Sequence, residues 1–314
     1  VDARARDSSS VSALIGAGAS VSATDTVLTA TASPTATAYA EGIGFAGAET
    51  IGVNLATADV SVAVKAAVGD AATFDGGNLA VQAKATPTST STATGGAGSL
   101  AIAVNSAEST ATNNSTITAA IGNGVTLPNG NLTVSADGTT HQTANGSGIA
   151  AAGLVAAGNV QSTATSSVNT SASIGDGNGT QQALRNVQVS ATGVDTNDAS
   201  SKAGSGALFG GNGSQAKTGS TSTTTATIGR QLNFKVDSFG LRADHKSVYG
   251  GAANSFNVAL VGGSGAQVDN SASSTTNAGI GEGEDAQRQQ VAARLIETHG
   301  ALDHGRKLLA RLGR

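Results

Sequence analysis

Chemistry needs particular side chains at particular spacings, and this chain holds few of them. It has four histidines: His141, His245, His299 and His304. None belongs to an HExxH-type metal motif, and none recurs at a fixed step. The expectation is four surface imidazoles. Cysteine is absent, which removes disulfides and thiolate metal sites. Gly-x-Gly phrases such as Gly146-Ser147-Gly148 and Gly204-Ser205-Gly206 occur, but in a chain with 43 glycines they say nothing about nucleotides. No phosphate loop ending in Gly-Lys-Ser/Thr is present, and no G-x-S-x-G phrase stands in a strand–turn–helix setting.

Two patterns could act by stacking. Asp70, Asp176 and Glu282 each follow a recurring glycine, and stacked turns would align their carboxylates for calcium. Asn123, Ala17 and Arg230 interrupt that row, and the GGxGxDx calcium repeat is missing. Thr116-x-Thr118, Thr163-x-Thr165 and Thr221-x-Thr223-x-Thr225 would suit a flat, ice-binding threonine face, but the positions shift between units. Acceptor phrases such as Asn114-Ser115-Thr116 and Asn169-Thr170-Ser171 arise from composition alone. The expectation is no catalytic residue, no cofactor-binding residue, no cofactor and no metal ligand.

The elements that would position these residues are set by a repeat. The phrase Ala-x-Ile/Val-Gly ends at Gly16, Gly69, Gly122, Gly175, Gly229 and Gly281, and its β-branched residue or partner isoleucine falls at 15, 68, 121, 174, 228 and 280. The steps are 53, 53, 53, 54 and 52 by subtraction of those positions. Self-similarity at a long fixed period marks a repeat architecture. Within each unit the anchor closes an alternating run, as in Val60, Val62, Val64, Ala66 and Val68, the mark of a strand with one face buried. A second phrase, Asn-Leu-x-Val-x-Ala, reads Asn78 to Ala83 and Asn131 to Ala136, with a variant from Asn186 to Ala191. Its leucine and valine are expected inside. In the fourth unit it comes two residues late, which fits a turn insertion around Gln181-Gln182. A third phrase is Gly-rich and opens into an Ala-rich apolar run, as from Gly95 to Val104. Polar Thr-rich stretches such as 88–94 join the two and favour extended chain.

Composition agrees. Aromatics are 3% and charged residues 12%, so no thick core of large side chains can form. Hydrophobic content of 39% still argues against a disordered chain. Net charge is −4, and the body before residue 284 carries 11 basic and 17 acidic residues, which is no nucleic-acid-binding balance. No apolar run reaches membrane-spanning length. Val1 stands where an initiator Met would, and no signal peptide is visible, so any export signal or anchor is expected in sequence beyond this chain.

The fold expectation is all-β: a β-solenoid, parallel β-helix-like, of about five 53-residue repeats with a short α-helical tail. Residues 1–14 read as a polar lead-in and 15–227 as four repeats. Residues 228–283 read as an atypical fifth repeat or cap, holding Phe234, Phe239, Tyr249 and Phe256 with Arg230, Lys235, Arg242 and Lys246. Residues 284–314 read as helix, with acids first, bases later and Val291 and Leu295 on one face. Leu302, Leu308, Leu309 and Leu312 extend it.

The order A-x-I-G-x-G, then N-L-x-V-x-A, then a Gly/Ala-rich strand resembles the repetitive passenger regions of large bacterial surface adhesins, of the filamentous-haemagglutinin-like and leukotoxin-family filamentous kinds. The resemblance covers roughly residues 12–283. It implies an exported, non-enzymatic stalk at the bacterial cell surface. Its small side chains would present a smooth Ser/Thr/Asn surface for glycan or host contact, and its ends or sides would allow homotypic assembly. An ice-binding β-solenoid and a polysaccharide-acting β-helix protein are the alternatives.

Overall fold

The structure is a computed structural model. It describes residues 1–127, 129–177, 184–230, 236–281, 292–293 and 296–297. The described chain is built from strands, with no helix among the described residues, and the strand pairs are parallel. Among these residues no helix is long and apolar enough to cross a membrane.

The register follows the sequence period. Ile15 pairs with Val68, Val68 with Ile121, Ile121 with Ile174, Ile174 with Ile228, and Ile228 with Ile280. All six anchor strands, from Ser10–Ile15 to Thr275–Ile280, therefore lie side by side in one sheet. The second phrase stacks likewise: Ala30, Ala83, Ala136, Ala191 and Ala243 form one row, although Ala191 comes late in its unit. The insertion around Gln181-Gln182 lies outside the described residues. Each unit thus sits on its own copy one period away.

After the second phrase every unit runs out along one strand and returns along another. Thr88–Ser99 is an outbound strand and Ile102–Asn113 its return. Further along, the ladder runs unbroken through the corners, so that Leu184–Ser220 and Val236–Ala272 are each continuous strands of 37 residues; Leu184–Ser220 still pairs with both the outbound and the return strand of the unit before it. The alternating pattern holds: Val60, Val62, Val64, Ala66 and Val68 are all buried, as are Leu79 and Val81.

Burial divides the cross-section in two. Where the anchor and second-phrase strands meet, Leu79, Leu132, Leu184, Ile117, Ile121 and Ile174 fill a core of large aliphatic groups. Between the outbound and return strands the interior is thin, made of alanines such as Ala93, Ala107, Ala111 and Ala144. Serines bridge it: Ser91 Oγ lies 2.6 Å from Ser109 Oγ, and Ser201 Oγ 2.6 Å from Ser214 Oγ. Only small side chains fit such a gap, which explains the poverty in aromatics.

Two expectations change at the ends. Asp2–Asp7, read as lead-in, is already a strand paired with Leu55–Val60. In the tail, Ala292–Ala293 and Ile296–Glu297 are strands, not helix, and pair with Gly240–Leu241 and Asp244–His245. The far edge of the fifth unit still offers unpaired backbone groups there, and ladder pairing outweighs the four-residue spacing of Val291 and Leu295. The rest of 284–314, with His299, His304 and the leucines from Leu302 on, lies outside the described residues, as do Glu282, Phe234 and Lys235.

Candidate interaction surface

Three sets of side chains run along the stacking direction. The first is a pair of Asx ladders at the turns. The Asp70 carboxylate accepts the backbone N–H of Asn123 at 2.7 Å, the Asn123 side chain accepts that of Asp176 at 2.7 Å, and the Asp176 carboxylate accepts that of Arg230 at 2.7 Å. The row expected as a calcium candidate thus satisfies backbone donors of the next unit. Among the described residues no group of three or more His, Asp or Glu side chains stands close enough to share a metal ion. This close approach also fixes the anchor glycine: a Cβ on Gly122 would lie 2.4 Å from Asp70 Oδ1 and 2.7 Å from its backbone nitrogen. A second ladder runs through the asparagine of the second phrase. Asn78 donates to Asp25 Oδ1 at 2.6 Å, and Asn186 donates to Asn131 Oδ1 at 2.7 Å.

The second set is a buried polar seam where the two halves of the cross-section join. Asp195, 1% exposed, accepts from Thr140 Oγ1 at 2.9 Å, Ser220 Oγ at 2.7 Å and Ser222 Oγ at 2.5 Å. His245 Nε2 lies 3.5 Å from Asp195 Oδ2 and 3.0 Å from Ser247 Oγ, and its Nδ1 lies 3.1 Å from Thr224 Oγ1. An acid, an imidazole and a hydroxyl are thus in reach of one another. They do not form a relay to substrate, because Asp195 and Ser247 meet the same ring nitrogen and Thr224 is fully buried. The seam orders the interior. It overturns the surface reading of His245, which is 4% exposed, whereas His141 is at the surface beside Thr143. The signal in the sequence was a polar residue at the inward phase of a strand, as in Asp195-x-Asn197 and His245-x-Ser247.

The third set is exposed. At the turn between outbound and return strands, large apolar side chains face solvent in the second to fifth units, whereas the first has Gly47 and Glu49 there. Ile102 pairs with Val155, Val155 with Phe209, and Phe209 with Val261, and all four point outward. Beside them Leu100, Leu154, Leu208 and Leu260 are 77%, 52%, 40% and 79% exposed. On the adjoining outer face the row Ile43, Gly96, Ile149, Gly204, Phe256 alternates large with glycine. Phe45 lies across Gly98, and Phe256 across Gly204, where a Cβ would strike the ring. The surface is therefore not the smooth Ser/Thr/Asn one expected; it carries an apolar stripe. Stretches 95–107, 146–160, 203–216 and 249–268, which form most of it, contain no Asp, Glu, Lys or Arg; Ile43 and Phe45 of the first unit lie between Glu41 and Glu49, and Glu49 ends the row at Ile102. The threonine rows are short by comparison: Thr57, Thr110 and Thr163 stack, and the row ends at Lys217.

No protein-family model matches the chain, and no curated protein or solved structure matches it.

Proposed function

We propose that the stacked units are the coils of a parallel β-solenoid of 53 residues per turn, and that the chain is a stalk segment of an exported bacterial surface fibre or adhesin. The observation that carries this reading is the register, in which each residue pairs with its counterpart one period on, from Ile15 to Ile280. Such a stack lengthens by about 4.8 Å per coil and is held by backbone hydrogen bonds parallel to its axis. The order of its phrases, which resembles adhesin passenger regions, supports an extracellular place. The function is reach and contact, and no catalysis is assigned to it.

Electron microscopy of the purified chain tests the architecture: rods are expected, and compact globular particles would overturn it. Antibody labelling of intact source cells tests the location. Staining without permeabilisation is expected, and staining only after permeabilisation would overturn the surface reading.

A further inference from the structure

The apolar stripe needs an occupant. Monomeric proteins rarely expose contiguous apolar patches beyond about 300–600 Å². Here two large side chains in each of four successive coils repeat along the edge, led by Leu100, Leu154, Leu208 and Leu260, each at least 40% exposed. Taking roughly 150–250 Å² for a large side chain, the two rows at the turn alone offer on the order of 800 Å². That is about what one partner contributes to a standard protein interface.

Charge narrows the choice. The four stretches that build the stripe carry no ionisable Asp, Glu, Lys or Arg, so an acidic or basic partner gains nothing there. Spacing narrows it further. A partner must present apolar groups on a straight line at the strand spacing of about 4.8 Å. A second copy of this chain does so by construction. We infer that the stripe is the site at which two copies of the chain dock side by side, with rows of Leu and of Ile, Val and Phe interleaved across a dry seam. The inference rests on the coil reading only for the spacing of its rows. An antiparallel arrangement makes the contact self-complementary and closes it at two copies.

Sedimentation velocity of the whole chain across a concentration series tests this. Wild type is expected to show a reversible dimer. The fourfold variant Leu100→Ser, Leu154→Ser, Leu208→Ser and Leu260→Ser is expected to dissociate it, with an association constant at least about 100-fold lower. Leu14→Ser removes a side chain 60% exposed on an anchor strand and is expected to dimerise as wild type does. Since the chain has no cysteine, Leu208→Cys adds a single thiol and keeps the test open should the fourfold variant not fold. It is expected to cross-link under mild oxidation far faster than Leu14→Cys. A wild type that stays monomeric, a fourfold variant that associates like wild type, or equal cross-linking by the two thiols would each overturn the inference. So would a monomeric wild type that co-sediments with phosphatidylcholine vesicles, which would make lipid the occupant. Monomeric rods in the microscope would sink the docking site alone; globular particles would sink the coils first.

Discussion

The side-chain amide of Asn131 donates to the side-chain oxygen of Asn78 at 3.0 Å, across 53 residues of sequence. The same oxygen also accepts the Asn131 backbone N–H at 2.8 Å. Identical side chains at identical places in successive units thus complete one another, as amide ladders do in other in-register parallel sheets.

Asn131→Ala breaks the ladder in its middle, removing its bond to Asn78 and that from Asn186. The row is exposed, so the loss is modest, about 1 kcal/mol. Because repeat arrays open locally, hydrogen exchange is the measurement. Faster exchange is expected at the second-phrase strands around Val81, Val134 and Val189, with the ends of the chain unchanged.

The residue two after the anchor glycine is left-handed in several units: Gly18, Gly124 and Gly177 have φ of 66°, 64° and 65°. Ala71 takes the same place at φ 56° and is the one non-glycine with positive φ among the described residues. Ala71→Gly is expected to stabilise the protein by about 1 kcal/mol, read as a higher urea midpoint. Gly122→Ala should do the reverse, because its methyl meets the Asp70 carboxylate, which is held by the Asn123 N–H, and the Asp70 backbone nitrogen behind it.

Asp195→Ala leaves the hydroxyls of Thr140, Ser220 and Ser222 without their acceptor inside the seam. A loss of about 3–5 kcal/mol is expected. It should appear as early unfolding of the strands Leu184–Ser220 and Val236–Ala272 in denaturant, while strands before residue 120 retain protected amides.

Burial raises the Asp137 carboxyl above the ordinary aspartate range, against the opposing pull of Thr192 and Lys84, its neighbours in the row. Folding therefore favours the protonated form. That contribution is present below the ordinary aspartate pKa and is lost as pH rises through the folded value. Asp137→Asn is expected to raise the urea midpoint at about pH 7 and to leave it unchanged at about pH 3. Equal gains at both pH values would refute this assignment of the cost to charge burial.

The strand register was legible because Ile15, Val68, Ile121, Ile174, Ile228 and Ile280 repeat at the spacing at which they pair. The inward phase was legible wherever valine or leucine alternates with polar residues, as from Val60 to Val68. It was not legible from Gly95 to Val104, where Ala and Gly occupy both faces and nothing marks Ile102 as outward. The buried seam was hidden for the opposite reason: Asp195 and His245 are polar at inward positions, and only the facing hydroxyls from 220 to 224 make that tolerable. In the tail, the local pattern around Val291 pointed to helix, while the open edge at Gly240 and Asp244 recruits strand. Single-chain periodicity does not contain that edge.

The register between neighbouring copies has a kinetic meaning. Every strand pairing spans about one period, so the entropy of loop closure is met once per unit and does not grow with the number of units. Once a first unit has formed, each following stretch of about 53 residues finds its template already in place. Such a chain can fold progressively from one end while the remainder is still unstructured.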